Sequence, residues 1–290
     1  MQIVYHLGVH CTDEERLLRC LLKNRAALSE QGIVVPGPAR YRTLLRDTAM
    51  TLKGQPATRD TQALVLDQIM TEDEADRLIL SWDHFLGYAA GAVRNQLYAA
   101  GAERMKAFCQ VFPGIGTEFH LAIRNPATFL PAIHQKQRGR SVEEFMEGVD
   151  IMGLRWSDLV ASLREMNPEV PVTVWCDEDT PLIWPEVLQA VSGHGSDLVL
   201  EDSDDLLASI MSADGLQRMN AYMATHPPQA VAQRRRIVSA FLDKFALPEK
   251  IEVEVEMPGW TDDLTQRLTD AYDRDVSRII AMDGVQFLAA

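Results

Sequence analysis

Short apolar runs alternate with long amphipathic stretches along the first two thirds of the chain. Four runs rich in β-branched or aromatic residues and bounded by polar, Gly or Pro positions read as buried strands, at about 2–7, 77–81, 117–123 and 171–175. The first helical pattern covers about 13–31, with Leu17, Leu18, Leu21, Leu22 and Leu28 at i, i+3/i+4 spacing, and stops at Gly32. Others cover about 59–75, 92–111, 126–137, 141–150, 155–166 and 181–192. Strand, helix, strand at these distances predicts right-handed crossovers and a parallel sheet covered on both faces. The expected fold is α/β: a three-layer parallel sheet of about four to five strands.

After Gly195 the pattern becomes almost wholly helical, at about 202–211, 213–225, 229–245 and 261–281. One alternating piece at 251–256 interrupts it and would pair at a sheet edge or across a homodimer. No Pro/Gly/Ser-rich linker marks a boundary near 195. Residues 1–290 are therefore expected to form one domain, with a helical portion at about 196–290 packed on the sheet.

Composition changes this picture in two ways. The 290 residues carry a formal net charge of -14, which repels nucleic acid and anionic membrane surfaces, so neither is an expected partner. The four cysteines, at 11, 20, 109 and 176, show neither disulfide nor metal-ligand spacing, and no stretch is apolar enough to span a bilayer. A cytoplasmic protein is expected.

The candidate chemistry begins at the first strand. Ile3 to Leu7 run into Gly8-Val9-His10-Cys11-Thr12 and then into the first helix, the strand, glycine turn and helix of a phosphate-binding loop, so the sheet is expected to be P-loop-like. Three stretches together extend the likeness: Tyr5 to Thr12 with Asn24-Arg25-Ala26-Ala27-Leu28 and Gln31 to Pro36, Leu80-Ser81-Trp82-Asp83-His84-Phe85, and Ala122 to Leu130. In order and spacing, over about residues 2–190, they resemble the bacterial branch of the sulfotransferase family. That family has a P-loop α/β fold and writes H-x-G-x-H-K-T-G-T-T, a strand ending in S-S-E-x-[FL], and a strand ending in R-x-x-x-x-[FW].

The resemblance implies a donor site for 3′-phosphoadenosine 5′-phosphosulfate built on Gly8, His10, Cys11, Thr12 and Arg124, with Asp83 or His84 as base. The departures fall on that site. Cys11 stands at the family's lysine, and Asp13, Glu14 and Glu15 stand at its Gly-Thr-Thr. Arg124 keeps the position that holds the donor's 3′-phosphate, but its usual serine partner is Ala132.

Electrostatics argues against an anion here. A carboxylate about 6 Å from a phosphate charge costs about 3 kcal/mol at an effective dielectric near 20, and micromolar binding is worth only about 8 kcal/mol. Thr12 and Glu15 are also spaced as a capping box, which would occupy the helix's free amides. The expectation is thus a sulfotransferase-like protein that has lost sulfuryl-donor binding, needs no cofactor, and acts on an unknown small molecule or protein by binding or by unrelated chemistry. The alternative is an active sulfotransferase transferring the sulfuryl group to a hydroxyl or amine, with a basic cluster such as Lys136-Arg138-Arg140 replacing the lysine.

Ligands of open parallel sheets sit beyond the strands' carboxyl ends. Those ends carry His10 to Asp13, Trp82-Asp83-His84, Arg124-Asn125 and Cys176 to Thr180, an acidic set suited to a cation, an amine or a metal. The plain reading makes them helix caps, Asp83 for the helix after the second strand and Thr180 for the one after the fourth. His10, Cys11, Asp83 and His84 are all competent metal ligands, but nothing in their spacing requires a metal, and none is expected. Cys11 reads as packed and unreactive, Arg234-Arg235-Arg236 as a charged helix face, and the five tryptophans as packing residues.

Overall fold

Every strand of the sheet runs parallel. The computed structural model describes residues 1–137, 139–251 and 257–290. In chain order it contains β1 (Gln2–His6), α1 (Arg16–Lys23), α2 (Arg25–Ser29), β2 (Ile33–Val34), α3 (Pro38–Leu52), α4 (Arg59–Ile69), β3 (Arg77–Ser81) and α5 (Gly101–Cys109). It continues with β4 (Gly116–Ile123), α6 (Pro126–Gln135), α7 (Val142–Met146), α8 (Trp156–Met166), β5 (Val172–Cys176) and α9 (Thr180–Ser192). The last part is α10 (Asp205–Ile210), α11 (Ala213–Thr225), α12 (Val231–Phe245), α13 (Pro248–Ile251), α14 (Asp262–Ile280) and β6 (Val285–Leu288).

The six strands lie in the order β2-β3-β1-β4-β5-β6. The α/β class holds, with six strands against the four to five expected; the two not marked among the apolar runs, β2 and β6, are both at edges. Ile33–Val34 is too short to show a period, and Val285–Leu288 follows the last long helix and adds to β5. The alternating piece at 251–256 lies outside the described residues except for Ile251, which ends α13.

Alternate side chains of the central strands feed two cores. Ile3, Tyr5, Leu80, Phe119, Leu121 and Val174 pack with the helices that carry Tyr41, Met105, Leu130, Val160 and Tyr272. Val4, Ile79, Ala122 and Trp175 face α1 and α9 through Leu17, Leu21, Trp184 and Val187. Those two cores make the three layers. Four of the five tryptophans are buried, and the indole N–H of Trp260 donates to the Ala127 carbonyl at 2.9 Å, as packing residues should.

The first helical pattern is broken at Asn24 rather than continuous. The Asn24 amide donates to the carbonyls of Cys20 and Glu201 at 2.8 and 3.0 Å and accepts from the Glu201 N–H at 2.8 Å, so it ties the helix end to the C-terminal region. That region has its own small core of Leu207, Met211, Met219 and Val238. It is anchored to α9 where Arg234 and Arg235 meet Glu186 at 3.3 and 3.4 Å, so two of the three consecutive arginines serve packing rather than a solvated face. Among the described residues, no helix is long and apolar enough to cross a membrane.

Candidate functional site

After β1 the chain runs to β2 on one side of the sheet, and after β4 it runs to β5 on the other. The carboxyl ends of β1 and β4, adjacent in the sheet, therefore open a crevice where ligands of such folds bind. The loops after β1 and β3 and the Arg124 side chain meet there.

Gly8 allows that meeting. Its φ is +84°, and a Cβ added to it would lie 3.2 Å from the Cα and 3.3 Å from the Cβ of Asp83. Its carbonyl accepts from the Ala122 N–H at 2.7 Å, so the β1–β4 ladder persists to the turn. Beyond it the backbone is left-handed at Cys11, Glu14 and Glu15, three residues without glycine's freedom.

Those dihedrals overturn the expected capping box. Glu15 is itself the residue before the helix, with no side-chain cap, so α1 starts at Arg16 and leaves Thr12 too far back. The Thr12 hydroxyl donates to the Val9 carbonyl at 2.7 Å, and the Glu15 carboxylate pairs with Arg42 at 2.7 Å. The first amides of α1 are nonetheless taken, because Asp13 accepts Arg16 N–H on its carbonyl and Leu17 N–H on its carboxylate, both at 3.0 Å.

The bases near the loop are committed as well. Arg124 donates to the Cys11 carbonyl and, at 3.0 Å, to the Thr128 hydroxyl. Lys136 lies 3.9 Å from Glu14. Of its basic neighbours, Arg138 lies outside the described residues, and Arg140 bonds to Gln137 and the Glu144 carbonyl. Burial pushes the Cys11 thiol up to about 11, which keeps it an unreactive thiol at neutral pH.

The crevice holds a cavity of about 280 Å³ lined by His6, Gly8, Val9, Cys11, Asp13, Glu14, Glu15, Arg42, Ser81, Asp83 and Lys136. Four carboxylates face two cations, each of which already has a carboxylate partner. A larger cleft of about 910 Å³ between residues 90–99 and 140–149 offers Arg94, Arg140 and Glu147 but no histidine or cysteine. The chemistry concentrates at the strand ends.

Asp83 does not cap a helix: the segment after β3 makes its first helical turn, a 3-10 turn, only at Ala89–Gly91, preceded by Tyr88, and α5 follows only at Gly101. That segment is fixed by Arg104, which donates to the carbonyls of His84 and Phe85 at 3.0 and 3.1 Å. Thr180 is likewise not a cap: it lies inside α9, and its hydroxyl donates back to the Cys176 carbonyl at 3.4 Å. At the same strand end, burial raises Asp177 to about 7, opposed by the nearby Arg124 charge.

Ligand atoms of His10, Asp83 and His84 all lie within 4.8 Å of one another, while Cys11 stays outside this group. His10 is buried, and its Nδ1 sits 2.7 Å from the Tyr98 hydroxyl, which also accepts the His10 N–H at 3.3 Å. Burial lowers His10 to about 4, so the ring is neutral at pH 7. Sequence reasoning missed Tyr98, which falls inside the apolar stretch read as the helix at 92–111. In the structure its φ is +48°, an unfavourable backbone that aims the phenol at His10.

No protein-family model, curated protein or solved structure matches the chain.

Proposed function

We propose that the protein is a sulfotransferase-like P-loop-fold protein that no longer binds the sulfuryl donor, and that its strand-end crevice takes a positively charged ligand instead. The observation carrying this reading is the commitment of the loop's donors. Asp13 holds the first amides of α1, and the Arg124 guanidinium is spent on the Cys11 carbonyl and Thr128. A phosphosulfate would have to displace these partners while meeting Asp13, Glu14, Glu15 and Asp83 around one cavity.

A thermal-shift titration with adenosine 3′,5′-bisphosphate tests it. No change in melting temperature up to millimolar ligand is expected, and stabilisation at sub-millimolar concentration would overturn it. That outcome would favour the second reading, an active sulfotransferase using 3′-phosphoadenosine 5′-phosphosulfate. Its support is the convergence of Arg42 and Lys136 on the cavity wall, beside Asp83 as the candidate base.

A further inference from the structure

We propose that His10, Asp83 and His84 form a binding site for one divalent transition-metal ion of the zinc and iron class. The inference deepens the cationic reading of the crevice and rests on it.

Three observations converge. The Nε2 of His10 has no hydrogen-bond partner, although the residue is only 2% exposed. An unpaired buried nitrogen is costly; His6 and His120 each carry one as well, but among the described residues His10 is the one grouped with a carboxylate and a second imidazole. The Asp83 carboxylate accepts no hydrogen bond among the described residues, and its approach to His84 Nε2, at 3.7 Å, is too long for one. Finally, the ligand atoms of all three residues lie within 4.8 Å of one another.

Two imidazoles and one carboxylate are a donor set that zinc and non-haem iron both accept, with positions left open for water or substrate. Bonds of about 2.1 Å in a tetrahedral arrangement place ligand atoms about 3.4 Å apart. The side chains of Asp83 and His84 are 36% and 34% exposed, so torsional rotation can bring them inward around the fixed His10. Asp83 also lines the cavity, which gives the site access to solvent and to a small ligand.

Tyr98 acts here as a positioning residue. In the tautomer whose Nδ1–H donates a hydrogen bond to the Tyr98 oxygen, the Nε2 lone pair is left for the metal, the arrangement by which ligating histidines are commonly oriented.

The test is titration of the chelator-treated full chain with Co²⁺, followed by visible d–d absorption and displacement by Zn²⁺. One equivalent should bind, and Asp83→Asn and His84→Gln should each weaken binding by at least about tenfold. Tyr98→Phe should weaken it by about 10–100-fold while leaving one equivalent and altering the absorption band, which a purely structural role would not do. Zn²⁺ should also protect His84 of the wild-type chain from diethylpyrocarbonate, read by mass spectrometry, a measurement that does not depend on any variant folding. Absence of Co²⁺ absorption, full labelling of His84 in the presence of Zn²⁺, or unchanged affinity in folded Asp83→Asn would each overturn the site. A chain that binds neither metal nor adenosine 3′,5′-bisphosphate would lose the metal site alone. A response to the bisphosphate would overturn the crevice reading itself.

Discussion

The guanidinium of Arg124 donates to the main-chain carbonyl of Cys11, and this bond joins the loop after β1 to the end of β4. A residue that resemblance assigns to a ligand phosphate is thus spent on the protein's own backbone. The Arg124 carbonyl accepts in turn from the indole N–H of Trp156 at 2.8 Å, so the same residue ties β4 to α8.

Arg124→Ala should therefore be a stability variant. It removes a charge-assisted bond to the loop and the 3.0 Å bond to Thr128, at a cost of about 1–3 kcal/mol. Urea unfolding should show a lower midpoint with an unchanged slope. An unchanged midpoint would mean that the guanidinium is free for a ligand.

The legible parts of this protein were those with a period. Val4, Ile79, Ala122 and Trp175 alternate with Ile3, Tyr5, Leu80 and Val174, and that two-sided burial announces a parallel sheet. Ile33–Val34 has no room for a period, and the partners that make it a strand, Arg77 and Leu78, lie more than forty residues away. The loop failed differently. Thr12 and Glu15 have the right spacing for a capping box, but the left-handed backbone at Glu14 and Glu15 shifts the helix start to Arg16. His10 was visible as a candidate, whereas its pairing with Tyr98 spans 88 positions of sequence and depends on a strained turn that no spacing rule marks.

Asp275 on α14 supplies a cap that α8 lacks. Its carboxylate accepts the N–H groups of Trp156 and Ser157 at 2.7 and 3.1 Å and the Ser157 hydroxyl at 2.5 Å, while being only 2% exposed. Asp275→Ala should cost about 2–4 kcal/mol, since it leaves buried donors unpaired at a helix start. Asp275→Asn should recover part of this loss, because its oxygen can still accept. Equal melting temperatures for the two variants would show that space filling, not capping, is what the position provides.

Buried histidines make the protein sensitive to mild acid. Burial lowers His10 to about 4 and His120 to about 3, and His6 shifts in the same direction. Between these values and the unfolded value near 6.5 the unfolded chain binds protons that the folded one does not, so stability rises with pH. His10 and His120 should each contribute on the order of 2 kcal/mol to the loss between pH 6.5 and 4, and His6 adds in the same direction. Denaturant midpoints measured across that range should fall steadily, and His120→Gln should flatten the slope. A wild-type profile that is flat from pH 4 to 6.5 would contradict this.

Asp177 works in the opposite sense. Burial raises its carboxyl to about 7, so the folded state holds a proton that the unfolded chain has released above about 4. Its contribution to stability is present at low pH and is lost as pH rises towards 7 and beyond. Asp177→Asn, which keeps the shape without the ionisation, should raise the melting temperature at pH 8 more than at pH 5. Equal shifts at both values would mean that the carboxylate ionises freely in the folded protein.

Gly8 separates the cost of an unusual backbone from the cost of crowding the site. At φ +84° any side chain there is strained by about 1–3 kcal/mol, and the new methyl would also press on the backbone of Asp83 at 3.2 Å. Gly54 has nearly the same backbone, at φ +80°, with nothing within 4 Å of an added Cβ. Gly54→Ala therefore measures the conformational cost alone, and Gly8→Ala should lower the melting temperature by several degrees more. Because the displaced backbone belongs to Asp83, Gly8→Ala should also weaken Co²⁺ binding at His10, Asp83 and His84, whereas Gly54→Ala should leave it unchanged. If both variants bound Co²⁺ like the wild type, the close approach of the two loops would have no part in holding the site.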